Sequence, residues 1–327
     1  MKHYKSLFLT LIVAGLFATG CSISDSSDTG LTEEEIEMAA SIMGQTLADE
    51  SGGVVSSMYD ATASPQPSQL SYSANSSATL GKESSLNSSQ TAADPNRRGG
   101  RGAERNYQAT YDPETGLHTI TFSRSFQREE FSKSMDSELT YIFTDTAGNF
   151  LEFPRRDRED IATINFTGNR VGEHSGPLHQ SNVNRVDTMF YSGLHSSDDY
   201  LVFSGVHYGS GSMEREFPAR ELFFSRDFDV FVSYTDITLD KAVIRENQSL
   251  EEGVTGTLSY EMEIYRNKNG EEDTEVLEGT VELNGDGTAL MEFKGHAQRF
   301  LLKLSSGDSE RKFGNGPGNG PGNGPGT

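Results

Sequence analysis

The chain has 327 residues and a formal net charge of -22 at pH 7, with 49 Asp and Glu against 27 Lys and Arg. Such a field repels phosphate backbones and anionic head groups, which argues against nucleic acid as a partner. With one cysteine and no tryptophan, the fold has no internal disulfide and must be held by an apolar core, to which 19 Phe and 12 Tyr can contribute.

Lys2 and Lys5 open the chain, and Leu7 to Ala18 form an apolar run broken by Thr10 and Gly15. It is too short to cross a hydrocarbon core of roughly 30 Å, and reads as a secretory segment. The small residues Ala18, Thr19 and Gly20 then precede Cys21. This stretch resembles the signal peptide of a bacterial lipoprotein, whose lipobox ends in an obligatory cysteine; Ala18 stands where leucine is usual. The resemblance implies cleavage before Cys21, a diacylglyceryl thioether and an acylated amine on that residue, and no other cofactor. It also implies membrane lipid as a partner and a cell-envelope location. Ser22 rather than aspartate after the cysteine points to the outer membrane of a Gram-negative bacterium. Several acyl chains hold such a protein firmly, each buried methylene adding about 0.8 kcal/mol.

After residues 1-20, residues 21-61 are expected to hold the lipidated N-terminus and one amphipathic helix. Thr32 and Glu35 form a capping box, Ile36, Ala39, Ala40, Met43 and Leu47 recur at helical spacing, and Gly52-Gly53 ends the pattern. Its stripe should dock on the body, and Val54 to Ala61 add a further turn or strand. Residues 62-105 are Ser, Gly and Pro rich and read as a disordered linker spacing the anchor from the body. "RRGGRG", Arg97 to Gly102, resembles an RNA-binding patch, but one copy in an acidic exported chain carries no such assignment.

Residues 106-306 change to period two. Leu258, Tyr260, Met262 and Ile264 alternate with Ser259, Glu261 and Glu263, and Leu277, Val281 and Leu283 alternate with Glu278, Thr280 and Glu282. Turn signals fall at Asp112 to Gly116, Asp145 to Asn149, Asn267 to Gly270 and Asn284 to Gly287. The expected fold is mainly β: an antiparallel meander of about ten to thirteen strands forming a sandwich or soluble barrel. Its charged outer face argues against a membrane barrel. Residues 307-327 read as a flexible Gly-Asn-Gly-Pro tail.

The chain lacks nucleophile-elbow, zincin, phosphate-loop and dinucleotide motifs. Four histidines are the one constellation worth weighing: His174, His179, His195 and His207, with Asp198 nearby, as ligands for zinc or iron. Their intervals match no compact signature. "NGDGT" alternates oxygens as a calcium loop does, but Gly295 occupies the position where the bidentate glutamate belongs, so a hairpin is expected. The leading expectation is an envelope β-domain for binding or scaffolding, its partner unspecified. The alternatives are a metal-dependent hydrolase using the four histidines, and a carrier of a hydrophobic ligand.

Overall fold

The computed structural model describes residues 32-62, 105-128, 131-177, 179-194, 198-217, 222-268 and 271-312. Residues 1-31 with Cys21, most of the 62-105 stretch, His195 and the residues beyond 312 lie outside the described residues. Residues 32-312 fall in one compact unit.

Thr32 starts helix α1 (Glu33–Leu47): the Glu35 N–H donates to its Oγ1 at 3.2 Å, and its own N–H donates to Glu35 Oε2 at 2.9 Å. The tight link at Gly52, where φ is +75°, leads into α2 (Val54–Thr62). Twelve strands follow among the described residues: β1 (Arg105–Asp112), β2 (Leu117–Arg128), β3 (Phe131–Thr144), β4 (Thr163–Gly176), β5 (His179–Ser192), β6 (Tyr200–Phe217), β7 (Leu222–Asp240), β8 (Val254–Lys268), β9 (Glu271–Asn284), β10 (Thr288–Phe293), β11 (Arg299–Lys303) and β12 (Ser309–Lys312). Helix α3 (Lys241–Asn247) links β7 to β8, capped by Asp240, whose Oδ1 accepts from the N–H of Ala242 and of Val243.

Each strand pairs antiparallel with its neighbours in the chain, giving one sheet in the order β1 to β12 that does not close into a barrel. The expected turns form at Gly116 (φ +70°), Gly148 (φ +83°), and Gly285 and Gly287 (φ +74° and +82°). In "NGDGT" the oxygens serve the hairpin itself, since Thr288 donates to Asp286 Oδ1 from both its N–H and its hydroxyl. The turn at 267-270 falls partly outside the described residues.

The inner face follows the period-two pattern, with Leu139, Tyr141, Phe166, Met189, Phe203, Val232, Met262, Val281 and Met291 buried. One exception has a local cause. Tyr234 and Ile237, three apart, both point inward because β7 shifts register between Tyr234 and Thr238, with Asp236 at φ +53°.

Both helices lie against this inner face, and their burial extends beyond a single stripe, with α1 keeping Glu34, Glu37 and Gln45 half-exposed. The predicted stripe of α1 is buried, but so are Met38, Ser41, Ile42, Gly44 and Thr46, and every residue of α2 from Val54 to Ala61. Helices buried on most of their surface sit inside a core. Their hydrogen-bond and ion-pair partners come from β3, β4, β5, β6, β7 and β12, so the sheet curls around them. Close approach is permitted by Gly44, where a Cβ would stand 2.2 Å from the Gly307 carbonyl oxygen in the β11–β12 turn.

The second element of the N-terminal region is a helix, where a turn or strand is expected, and both helices pack within one unit with the β-strands.

Candidate functional site

The strongest chemistry is inside. Arg170 of β4, 1% exposed, donates to Asp60 Oδ2 of α2 at 2.6 Å, to Asp187 Oδ2 of β5 at 3.2 Å, and to the Ser57 hydroxyl of α2. Ser57 Oγ donates to Asp187 Oδ2 at 2.6 Å, and His207 Nδ1 of β6 meets Asp187 Oδ1 at 2.8 Å. The Tyr141 hydroxyl donates to the Asp60 carbonyl at 2.9 Å. Burial opposes charge on Arg170, but Asp60 and Asp187 more than offset it, so the guanidinium is held above its ordinary range. Burial likewise opposes charge on Asp187, and His207 and Arg170 outweigh it, holding the carboxyl below its usual range.

Serine, histidine and aspartate thus meet, but not in the order of a nucleophilic triad. The Ser57 hydroxyl is bonded to the carboxylate instead of the imidazole, and Ser57, Asp187 and His207 are each 0% exposed. What the arrangement does is pin α2 to the sheet. Gly209 leaves room for the His207 ring, because a Cβ there would stand 2.9 Å from Nε2.

A second buried group fixes the helix ends. Arg185 donates to the carbonyls of Ser51 at 2.8 Å and Gln45 at 3.1 Å, and Lys133 donates to the Glu50 carbonyl. The Gln45 carbonyl is an orphan acceptor of α1, whose last turn carries no basic residue of its own, and Glu50 and Ser51 lie in the link that follows, so the sheet supplies the cations. Burial lowers Arg185 to about 10 and Lys133 to about 8. On the other side Tyr59 donates to Glu251, which also accepts from Ser249 Oγ at 2.9 Å. Burial, with Glu251 and Asp60 adding to it, pushes Asp49 up to about 7.

Of the weighed histidines, His174 and His179 come together and His207 stands apart from them. His174 and His179 face each other across the β4–β5 hairpin with ring centroids 5.1 Å apart, and His179 Nε2 lies 3.2 Å from Gln45 Nε2. Burial and the neighbouring His174 lower His179 to about 4. His207 is opposite Asp187, eight residues along β5 from His179, on the order of 25 Å away at about 3.3 Å per residue. Asp198 is exposed beyond the far end of β5, where its carbonyl accepts from Lys241 Nζ at 2.8 Å. His195 lies outside the described residues. Among the described residues no group of three or more His, Cys, Asp or Glu is placed to hold a metal ion.

No motif singles out Arg170, Asp187, Ser57 and Asp60, although a signal exists. Arg170 shares strand parity with Ile164 and Phe166, and Asp187 with Met189 and Tyr191, which places charge on the apolar face.

Three depressions lie on the outer side of the sheet. Of about 350, 440 and 350 Å³, they are walled largely by outward-facing residues. The first is polar, with Ser134, Glu173, Gln180 and Asn182; the third combines Tyr208 and Phe231 with Asp229, Glu261 and Glu263. No helix among the described residues is long and apolar enough to cross a membrane. Fold and interior together define an antiparallel meander curled around a two-helix plug. No family model, curated protein or solved structure matches this chain.

Proposed function

We propose that this is a lipid-anchored cell-envelope protein whose β-domain acts by binding or scaffolding through the outer face of its sheet. The observation that carries the reading is the filled interior. Where a carrier needs an apolar cavity, the inner face here meets α1 and α2, locked by the Arg170 network. That leaves the outer face, with its three depressions, to meet partners.

The anchor is Cys21, with the outer membrane as its destination. Only ten residues, 22-31, separate it from Thr32, the first residue of the folded unit. Even fully extended they span about 35 Å, so the body is held close to the bilayer. Two measurements test the reading. Cys21→Ser should move the protein from the membrane to the soluble fraction and remove the acyl mass; unchanged fractionation and mass would overturn the anchor. Solvent extraction of the purified protein should release no stoichiometric non-covalent lipid, and one lipid per chain would restore the carrier.

A further inference from the structure

We propose that the outer face of β5–β9, centred on Tyr208 and Phe231, docks a basic, extended segment of a partner protein. The proposal rests on the outer-face reading above and names the class of partner.

Register places Val186, Tyr208, Phe231, Glu261 and Glu278 opposite one another across five strands. The adjacent row is Asn184, Ser210, Asp229, Glu263 and Val276. Tyr208 is 54% and Val276 51% exposed, and the Tyr208 and Phe231 ring centroids lie 4.8 Å apart beside a depression of about 350 Å³.

The charges around these aromatics are arranged at a cost. Glu261 and Glu278 stand directly opposite, a cross-strand pairing that destabilises a sheet. The Tyr265 hydroxyl lies 2.7 Å from Asp229 Oδ2 and 2.8 Å from Glu263 Oε2, offering one proton to two carboxylates. Lys294 answers Glu278 at 2.6 Å, but among the described residues no salt bridge reaches Asp229, Glu261 or Glu263.

Solubility accounts for the carboxylates alone. It does not account for the exposed Tyr208 packed on the half-buried Phe231 among them, or for Val276 exposed at the end of the adjacent row. An apolar patch inside a charged rim is the anatomy of a binding surface. An arginine-bearing segment satisfies both parts: its guanidinium stacks on Tyr208 and forks onto a carboxylate, and the net charge of -22 steers it in.

The test uses the full chain in detergent and fluorescent Arg/Ser and Glu/Ser peptides of about ten residues, read by anisotropy. The Arg/Ser peptide should bind and the Glu/Ser peptide should not. Glu261→Gln with Glu263→Gln should weaken binding about tenfold or more, and Tyr208→Ala should do the same. Asp308→Asn with Glu310→Gln, an equal change of charge elsewhere, should change it less than about twofold. Absence of binding, or losses that follow net charge wherever it is removed, would overturn the proposal. Binding seen only after Arg97, Arg98 and Arg101 are changed to Ser would overturn it too, assigning the face to the chain's own arginine-rich segment. Failure here is distinct from failure of the anchored-domain reading, which fractionation and lipid extraction decide.

Discussion

The two faces of one sheet treat charge in opposite ways. On the inner face Arg170 is matched to Asp60 and Asp187, and Arg185 to the carbonyls of Gln45 and Ser51, with each group taken out of water. On the outer face Glu261 and Glu278 confront each other, and Asp229 and Glu263 share one hydroxyl. A buried charge must be compensated or the fold fails, whereas water screens an exposed one. Inner charges therefore report on assembly, and outer ones are free to report on partners.

The largest effect that would break this contrast is at Arg170. Arg170→Leu strands two buried carboxylates and should cost about 3 to 5 kcal/mol in urea unfolding, a large part of a typical stability. Adding Asp187→Asn should recover part of the loss, because most of it comes from stranded charge and not from lost packing.

Gly44→Ala comes next. In an ordinary helix it would stabilise by up to about 1 kcal/mol. Here the new Cβ meets the Gly307 backbone, so we expect a net loss of about 1 to 3 kcal/mol by the same measurement. A gain would mean that α1 is not packed inside the sheet.

A pH effect of intermediate size separates two inner groups. Asp49 is raised to about 7 in the folded state, so its contribution is full below the ordinary carboxylate value of 3.8 and is lost as pH rises through 7. His179, lowered from 6.5 to about 4, does the reverse: its contribution is present above 6.5 and is lost as pH falls through 4. Asp49→Asn should thus stabilise the protein at pH 8, by less at pH 5 and with little change only below pH 3.8, and His179→Gln should lose less stability than the parent between pH 6.5 and 4. Urea midpoints across that range decide both.

The smallest effect is on the outer face. Glu261→Gln relieves repulsion with Glu278 and should stabilise by roughly 0.2 to 1 kcal/mol. Stabilisation together with weaker binding of the Arg/Ser peptide would show that this face gives up stability for recognition.

Much of the fold is legible in local residues. Leu258 to Ile264 alternate because a strand alternates, the Thr32–Glu35 box opens a helix, and glycines mark the turns where φ is positive. The inside of the plug is less legible. The spacing of Ile36, Ala39, Ala40, Met43 and Leu47 marks one buried stripe, but nothing local says that Met38 and Ile42 opposite are covered too, since that depends on strands some hundred residues and more away. Ser57 and Asp60 look like ordinary polar residues of a short turn or strand until Arg170 and Asp187 arrive from β4 and β5.

The sequence by itself determined the antiparallel meander, because period two and turn chemistry are local properties. Only the tertiary structure decided that the helices fill the curled sheet, that His174 and His179 meet while His207 serves Asp187, and that carboxylates of β7, β8 and β9 converge around Tyr208 and Phe231. Those outcomes follow from curvature and register, which set distances between residues remote in the chain and leave no mark on the spacing of neighbours.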